Sequence, residues 1–161
     1  MIFDPNVQLP KAPRGYLLRP LMLSDHKHGY LKLLSQLTVV GKVTEEMFSH
    51  RFHLMRNTFP ITYYVVVIEH EETKCVVATA TLVLEWKFIH EAGCRGRIED
   101  VVVDVNARRQ SLATLLILHL VTLARHLGVY KLSLECKKEL ISFYERFGFQ
   151  RDDNNFLVIN F

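Results

Sequence analysis

Hydrophobic positions along this chain recur with two spacings, and each spacing marks a different kind of element. Residues 62–70 and 74–85 are rich in β-branched side chains and flank Glu71-Glu72-Thr73, which predicts an antiparallel hairpin. Tyr16-Leu17-Leu18-Arg19 reads as a first strand closed by Pro20. Residues 98–105, 130–136 and 156–161 read as further strands. Leu112, Leu115, Leu116, Leu120, Leu123 and Leu127 follow the helical period, and Gly128 supplies the stop. Ile117, Leu118 and Val121 lie off that stripe, so this helix is apolar nearly all round, as a helix covered on both sides should be. Ser24 can cap a helix through about residue 37. Thr44, followed by Glu45 and Glu46, can cap another through about residue 56. Residues 138–147, closed by Gly148, form a last helix. The predicted order, β-α-α-β-β-β-α-β-α-β, is a mixed α/β domain with helices on both faces of one sheet.

Composition narrows the picture. A chain of 161 residues that is 49% hydrophobic can bury one sizeable core but not two ordinary ones, so a single domain over residues 14–161 is expected. Residues 1–13, with Pro5, Pro10 and Pro13, read as an extended N-terminal arm. No apolar run approaches the roughly 20 residues that cross a bilayer, and the N-terminus lacks a secretion signal, which gives a soluble, cytoplasmic expectation with no membrane span. The net charge of +3 comes from basic residues spread along the chain, not from a tract interleaved with aromatics, so no nucleic acid partner is expected. Cys75, Cys94 and Cys136 are odd in number and widely spaced, which predicts reduced thiols, with Cys136 in a buried strand and Cys94 in a loop. His26/His28 and His50/His53 have no third ligand nearby in sequence and read as exposed helix positions, so no metal is expected.

One juncture suggests chemistry. Arg97-Ile98-Glu99-Asp100-Val101-Val102-Val103 runs into Arg108-Arg109-Gln110-Ser111-Leu112-Ala113 and the long leucine-rich helix. The first turn of a helix leaves backbone N–H groups unpaired and carries partial positive charge, so a strand ending in a basic, small-residue turn before a helix can hold a pyrophosphate. A basic turn before a helix is also, more simply, a solvated cap. Glu99, Asp100 and Glu135 end apolar strands, where an unpaired charge is costly. A substrate ammonium and a nearby arginine, Arg95 or Arg97, are the two candidate partners. By itself a tyrosine between Phe143 and Phe147 reads as core packing.

The turn Arg108-x-x-Ser111-x-Ala113 resembles motif A of the GNAT acetyltransferase superfamily. Residues 37–41, Glu85-Trp86-Lys87-Phe88-Ile89-His90, Arg97-Ile98-Glu99-Asp100-Val101, Tyr130-Lys131, Leu134-Glu135-Cys136 and Phe143-Tyr144-Glu145-Arg146-Phe147-Gly148-Phe149 follow in the order and spacing of one family within it. That family is glucosamine-6-phosphate N-acetyltransferase, and the resemblance runs from about Tyr16 onward. It implies the GNAT acyl-CoA N-acyltransferase fold, with a mixed, mostly antiparallel sheet. It also implies transfer of acetyl from acetyl-CoA to the amine of glucosamine 6-phosphate.

Carried over residue by residue, the resemblance places coenzyme A on Val101, Val102 and Val103 by main chain. Its pyrophosphate falls on Arg108, Arg109, Gln110, Ser111, Leu112, Ala113 and Thr114. Tyr144 becomes the general acid, with Glu99, Asp100 and Glu135 as catalytic carboxylates. The amino sugar is placed on Thr38, Lys87, Phe88, Ile89, His90, Glu99, Asp100, Val101, Tyr130 and Lys131. The chain departs from the family pattern at Ser111, where glycine is preferred, at Leu140 and at Asn160. A homodimer with shared active sites is expected. Alternatives are a GNAT enzyme for another amine, such as a protein N-terminus, and a catalytically weak domain that binds acyl-CoA.

Overall fold

A computed structural model describes residues 1–4, 10–154 and 156–159. One five-stranded sheet, in the order β1-β2-β3-β4-β5, organises the chain. Strands β1 (Tyr16–Pro20), β2 (Tyr63–His70), β3 (Val76–Trp86) and β4 (Cys94–Val103) pair antiparallel in sequence order, and β5 (Val129–Leu134) lies parallel to β4. The β4–β5 crossover carries the long helix α4 (Leu112–His126), which packs on β2, β3, β4 and β5. Consecutive residues of β3 from Ala78 to Leu82 are all buried. Because successive side chains point to opposite faces, both faces of the sheet must be covered there.

Helix α2 (Glu45–Arg56) begins as expected, with the Thr44 hydroxyl accepting the Met47 N–H at 3.2 Å. The helix expected from Ser24 to about residue 37 is instead a 3-10 turn (Leu23–His26), a break, and a short α1 (Tyr30–Leu34). Gly29 interrupts it in the left-handed region at φ 85°. Asp25, not Ser24, organises the turn, since its carboxylate accepts the Met22 N–H at 2.8 Å and takes two 2.8 Å hydrogen bonds from the buried Arg19 guanidinium. Arg19 also donates to Glu69 of β2 at 2.8 and 3.0 Å. This buried Asp25–Arg19–Glu69 triad pins the start of α1 to the β1–β2 edge, and so fixes where the loop after α1 emerges.

Several expectations need correction. Residues 156–159 form no strand, and the rest of the expected last strand, residues 160–161 with Asn160, lies outside the described residues. The last helix is a 3-10 turn (Lys138–Leu140) followed by α5 (Ile141–Glu145). The cysteines exchange roles: Cys94 is buried as the first residue of β4, whereas Cys136 lies past the end of β5 and is exposed. Of the arm, Ile2 and Phe3 are core residues; the Ile2 N–H donates to the Leu21 carbonyl at 2.8 Å, and Phe3 packs on Tyr64.

His119 is the one charged-type side chain sealed inside α4, 1% exposed, and neither ring nitrogen has a partner. Burial lowers its pKa to about 4. In the unfolded chain the ring titrates near ~6.5, so between these values the unfolded state binds the extra proton and stability falls as pH falls. Above that window the ring is neutral in both states. His119→Leu should therefore remove part of the acid-side loss of melting temperature between pH 6.5 and 4. It should also leave the pH 7 melting temperature unchanged or higher, because an unpartnered buried ring is replaced by a hydrocarbon. Thermal melts at both pH values read this out, and an equal acid loss in the two proteins would refute it.

Candidate active site

The pairing of β4 changes character halfway along. Thr81 pairs with Glu99 and Thr79 with Val102, so the single residue Ala80 of β3 faces Asp100 and Val101 of β4. This is a β-bulge, and it holds Asp100 in the left-handed region at φ 53°. On the other side, pairing with β5 ends at Ile98–Leu134, although β4 continues to Val103. Backbone groups of residues 99–103 that face β5 therefore have no strand partner. This is the run on which Val101, Val102 and Val103 were expected to hold the coenzyme by main chain.

Past Val103 the chain turns into the expected phosphate cradle. Asp104 caps a short 3-10 turn (Val105–Ala107) by accepting the Asn106 N–H at 2.8 Å, and the Arg108 side chain reaches back to the Val103 carbonyl at 3.4 Å. Arg109 and Ser111 then stand at φ 64° and 59°, in left-handed conformations that expose the intervening N–H groups. Ser111 is the N-cap of α4 and makes no side-chain cap bond, which leaves the amides of Leu112, Ala113 and Thr114 free at the positive end of a 15-residue helix. Ser111 thus occupies a conformation that glycine adopts at no steric cost. Arg108, Arg109 and Gln110 are exposed, and the Arg146 guanidinium on the far side donates to Thr114 Oγ1 at 3.3 Å. Arg146 lies against the rings of Phe143 and Phe147. Sequence reasoning did not assign Arg146 a role. It is 32 positions from Thr114, a separation that no local pattern reveals.

Tyr144 lies in α5, 6% exposed, between the rings of Phe143 and Phe149. It lines a cleft of about 1030 Å³ along β5, together with Glu135, Cys136 and Lys131. Burial first, and then the neighbouring Cys136, push the phenol above its ordinary value, so it carries its proton throughout the neutral range.

The carboxylates are not alike. Arg97, on β4, hydrogen-bonds both Glu99 and Glu135, so these two share one guanidinium, the arginine alternative raised by the sequence. Asp100 has no such partner. Desolvation and then the Glu99 charge raise its pKa above the ordinary carboxylate value.

The remaining expected substrate residues lie elsewhere. Lys87 is paired with Glu85 at 2.7 Å and Lys131 with Asp152 at 2.8 Å. His90, Glu91 and Ala92 form a left-handed turn, α3 (Ile89–Ala92), and the His90 ring stacks on Tyr130 at 4.1 Å. Gly93 permits this fold-back, because a Cβ there would sit 2.7 Å from the His90 carbonyl oxygen and 3.1 Å from the Tyr130 ring. Phe88 and Ile89 are exposed, as is Thr38 in the loop after α1. Along β4, Asp100 is six residues from Cys94, about 20 Å at the usual rise of a strand. The turn at Lys87–His90 and the carboxylates therefore occupy opposite ends of β4 within one chain.

Comparison with known proteins accords with this geometry. The model of the acetyltransferase (GNAT) family matches residues 28–149. A probable glucosamine 6-phosphate N-acetyltransferase of Drosophila melanogaster is 45% identical over 132 residues, 82% of this chain and 59% of that protein's length. The glucosamine 6-phosphate N-acetyltransferase of Arabidopsis thaliana is 38% identical over 133 residues, 83% of this chain and 89% of that one. The crystal structure of the Arabidopsis enzyme superposes with a TM-score of 0.85 at 35% identity, covering 89% of this chain and 97% of that one. The chain belongs to the acetyltransferase (GNAT) family and, within it, to the glucosamine 6-phosphate N-acetyltransferases.

Proposed function

We propose that this chain transfers acetyl from acetyl-CoA to the 2-amine of glucosamine 6-phosphate, giving N-acetylglucosamine 6-phosphate and coenzyme A. The observation that carries the acyl-CoA half of this reading is the unpaired run of β4 at residues 99–103 leading directly into the open amides at the start of α4. An extended pantetheine arm can add to that edge as a strand would, while the pyrophosphate meets Leu112, Ala113 and Thr114. The amino sugar is the substrate named for the relatives in Drosophila and Arabidopsis, and Lys87 and His90 supply groups that suit a sugar phosphate. The reading places the reaction in the synthesis of UDP-N-acetylglucosamine and in the cytoplasm.

The chemistry needs a neutral amine, a held carbonyl and an acid for the leaving thiolate. Asp100, with its raised pKa, takes the proton released by the amine, while Arg97 keeps Glu99 and Glu135 in place around it. The amine nitrogen attacks the thioester carbon, the C–S bond breaks, and Tyr144 supplies a proton to the departing sulfur. Lys87 is bound to the half-buried Glu85 and Lys131 to the exposed Asp152, single pairs near the surface worth about 0–1 kcal/mol, which a doubly charged phosphate can displace.

Two active sites are shared in a homodimer under this proposal. Its support is that, among the described residues, β5 has strand β4 on one edge and none on the other, that Phe156, Leu157, Val158 and Ile159 are exposed, and that Lys87–His90 stand about 20 Å along β4 from Asp100. A second copy can bring its Lys87–His90 turn to this chain's carboxylates.

A thiol-release assay with acetyl-CoA tests the substrate: coenzyme A should appear with glucosamine 6-phosphate and far less with glucosamine or peptides, and a preference for peptides would overturn the proposal. Tyr144→Phe should lower kcat by about 10- to 1,000-fold with little change in KM, the cost of losing one proton donor. Unchanged turnover in that variant would reassign Tyr144 to packing. Mixing Tyr144→Phe chains with Lys87→Ala chains should partly restore activity, because both lesions then fall in one site and spare the other. No recovery after demonstrated subunit exchange, or a monomer by light scattering at micromolar concentration, would exclude the shared site.

A further inference from the structure

Gln36 stands just past the end of α1 and two residues before Thr38. Its side-chain amide makes both hydrogen bonds it is built for: Nε2 donates to Asp104 Oδ2 at 2.7 Å, and Oε1 accepts the Val105 N–H at 3.0 Å. The second carboxylate oxygen of Asp104 is taken by the Asn106 N–H at 2.8 Å, and the Asp104 N–H donates to the Val77 carbonyl of β3 at 2.8 Å. Among the described residues, the two bonds of Gln36 are the only hydrogen bonds between residues 35–44 and residues 101–114. Asp104 lies between the open run of β4 and the cradle of Arg108–Thr114. The loop after α1 has no regular structure of its own, and Val39 within it is 92% exposed.

We propose that the Gln36–Asp104 clasp couples the loop carrying Thr38 to the coenzyme turn, so that each substrate binds more tightly when the other is present. The proposal rests on the acetyltransferase reading above. Coenzyme on residues 101–114 steadies Asp104 and Val105, these hold Gln36, and the loop beyond it is then ordered before the amino sugar arrives. The second ligand meets a smaller ordering cost, and the coupling must be equal in both directions. Gln36 and Asp104 are positioning residues, since they act on the substrate loops through each other. Glutamine suits the place because one end must donate to a carboxylate while the other accepts from an amide; glutamate would set two carboxylates face to face.

Titration calorimetry of the full chain with coenzyme A, alone and with saturating glucosamine 6-phosphate, tests this without turnover. In the unaltered protein the sugar should tighten coenzyme binding by about 5-fold or more, the usual scale of coupling between sites. Gln36→Leu, which removes both bonds at an exposed position without adding charge, should abolish that gain, and so should Gln36→Glu. The double variant Gln36→Glu with Asp104→Asn restores a donor opposite an acceptor at unchanged net charge, and it should recover the coupling. A role confined to stability would leave the coupling the same in the unaltered protein and in all three variants.

Turnover of glucosamine 6-phosphate in the same preparation separates the two claims. If turnover is absent, the functional reading falls and the clasp proposal falls with it. If turnover is present but the unaltered protein shows no coupling, or Gln36→Leu keeps it, or the double variant does not recover it, the clasp proposal alone is overturned.

Discussion

The break in β4 at Asp100 is the constraint from which the rest of the site follows. On one edge β4 must keep pace with β3, and the bulge lets two of its residues answer one, which turns Asp100 into a left-handed conformation. On the other edge pairing with β5 stops at Ile98, so the next five residues offer backbone donors and acceptors with no strand partner on that side. Unpaired backbone groups that become buried are costly, and a ligand that satisfies them gains what a strand would have gained. The same strand then delivers the chain to the start of α4, where the unpaired groups are amides alone and the helix adds positive charge. Under the proposed reading, pantetheine and pyrophosphate would follow a single continuous path of main chain, along which the side chains can be plain valines.

Charge along the adjoining face is arranged as alternation. Arg95, Arg97 and Glu99 project from β4 at every second position, and across the parallel pair they meet Ser133 and Glu135. Arg97 satisfies two carboxylates and leaves Asp100, displaced by the bulge, as the one whose pKa is raised. The bulge therefore sets Asp100 apart from the two carboxylates that Arg97 binds. Its effect is paired with the buried Tyr144, which retains its proton for the same reason of desolvation. Desolvation is the first cause of the raised pKa in both groups.

Much of this was legible in the sequence where the determining interaction is local. The Thr44 cap, the 62–85 hairpin, the leucine period of α4 and the stop at Gly128 each depend on neighbours within one or two turns, and all form in nearly the expected places. The departures are non-local. The segment after Ser24 breaks because Asp25 is claimed by Arg19, which is itself held by Glu69, partners that periodicity does not show. Cys94 is drawn into β4 because that strand begins four residues earlier than its apolar run, opposite Trp86. Residues 156–159 carry the composition of a strand but pair with none of the five strands. The motif residues 99–103, 108–114 and 144 could be placed because strand, turn and helix positions were. The pairing of Arg97, the approach of Arg146 to Thr114 and the clasp at Gln36 join residues 32 to 69 positions apart or depend on which side chain reaches first, and no spacing in the chain announces them.

The central claim is that coenzyme binds to the backbone of β4 beyond Ile98 and to the first turn of α4. Amide chemical shifts and hydrogen exchange measured on the labelled protein during titration with coenzyme A test this most directly. The account predicts that amides within residues 99–103 and those of Leu112, Ala113 and Thr114 shift together and gain protection. Saturable binding that leaves these amides unchanged, with the shifts confined to residues lining the cleft between β5 and α5, would contradict it.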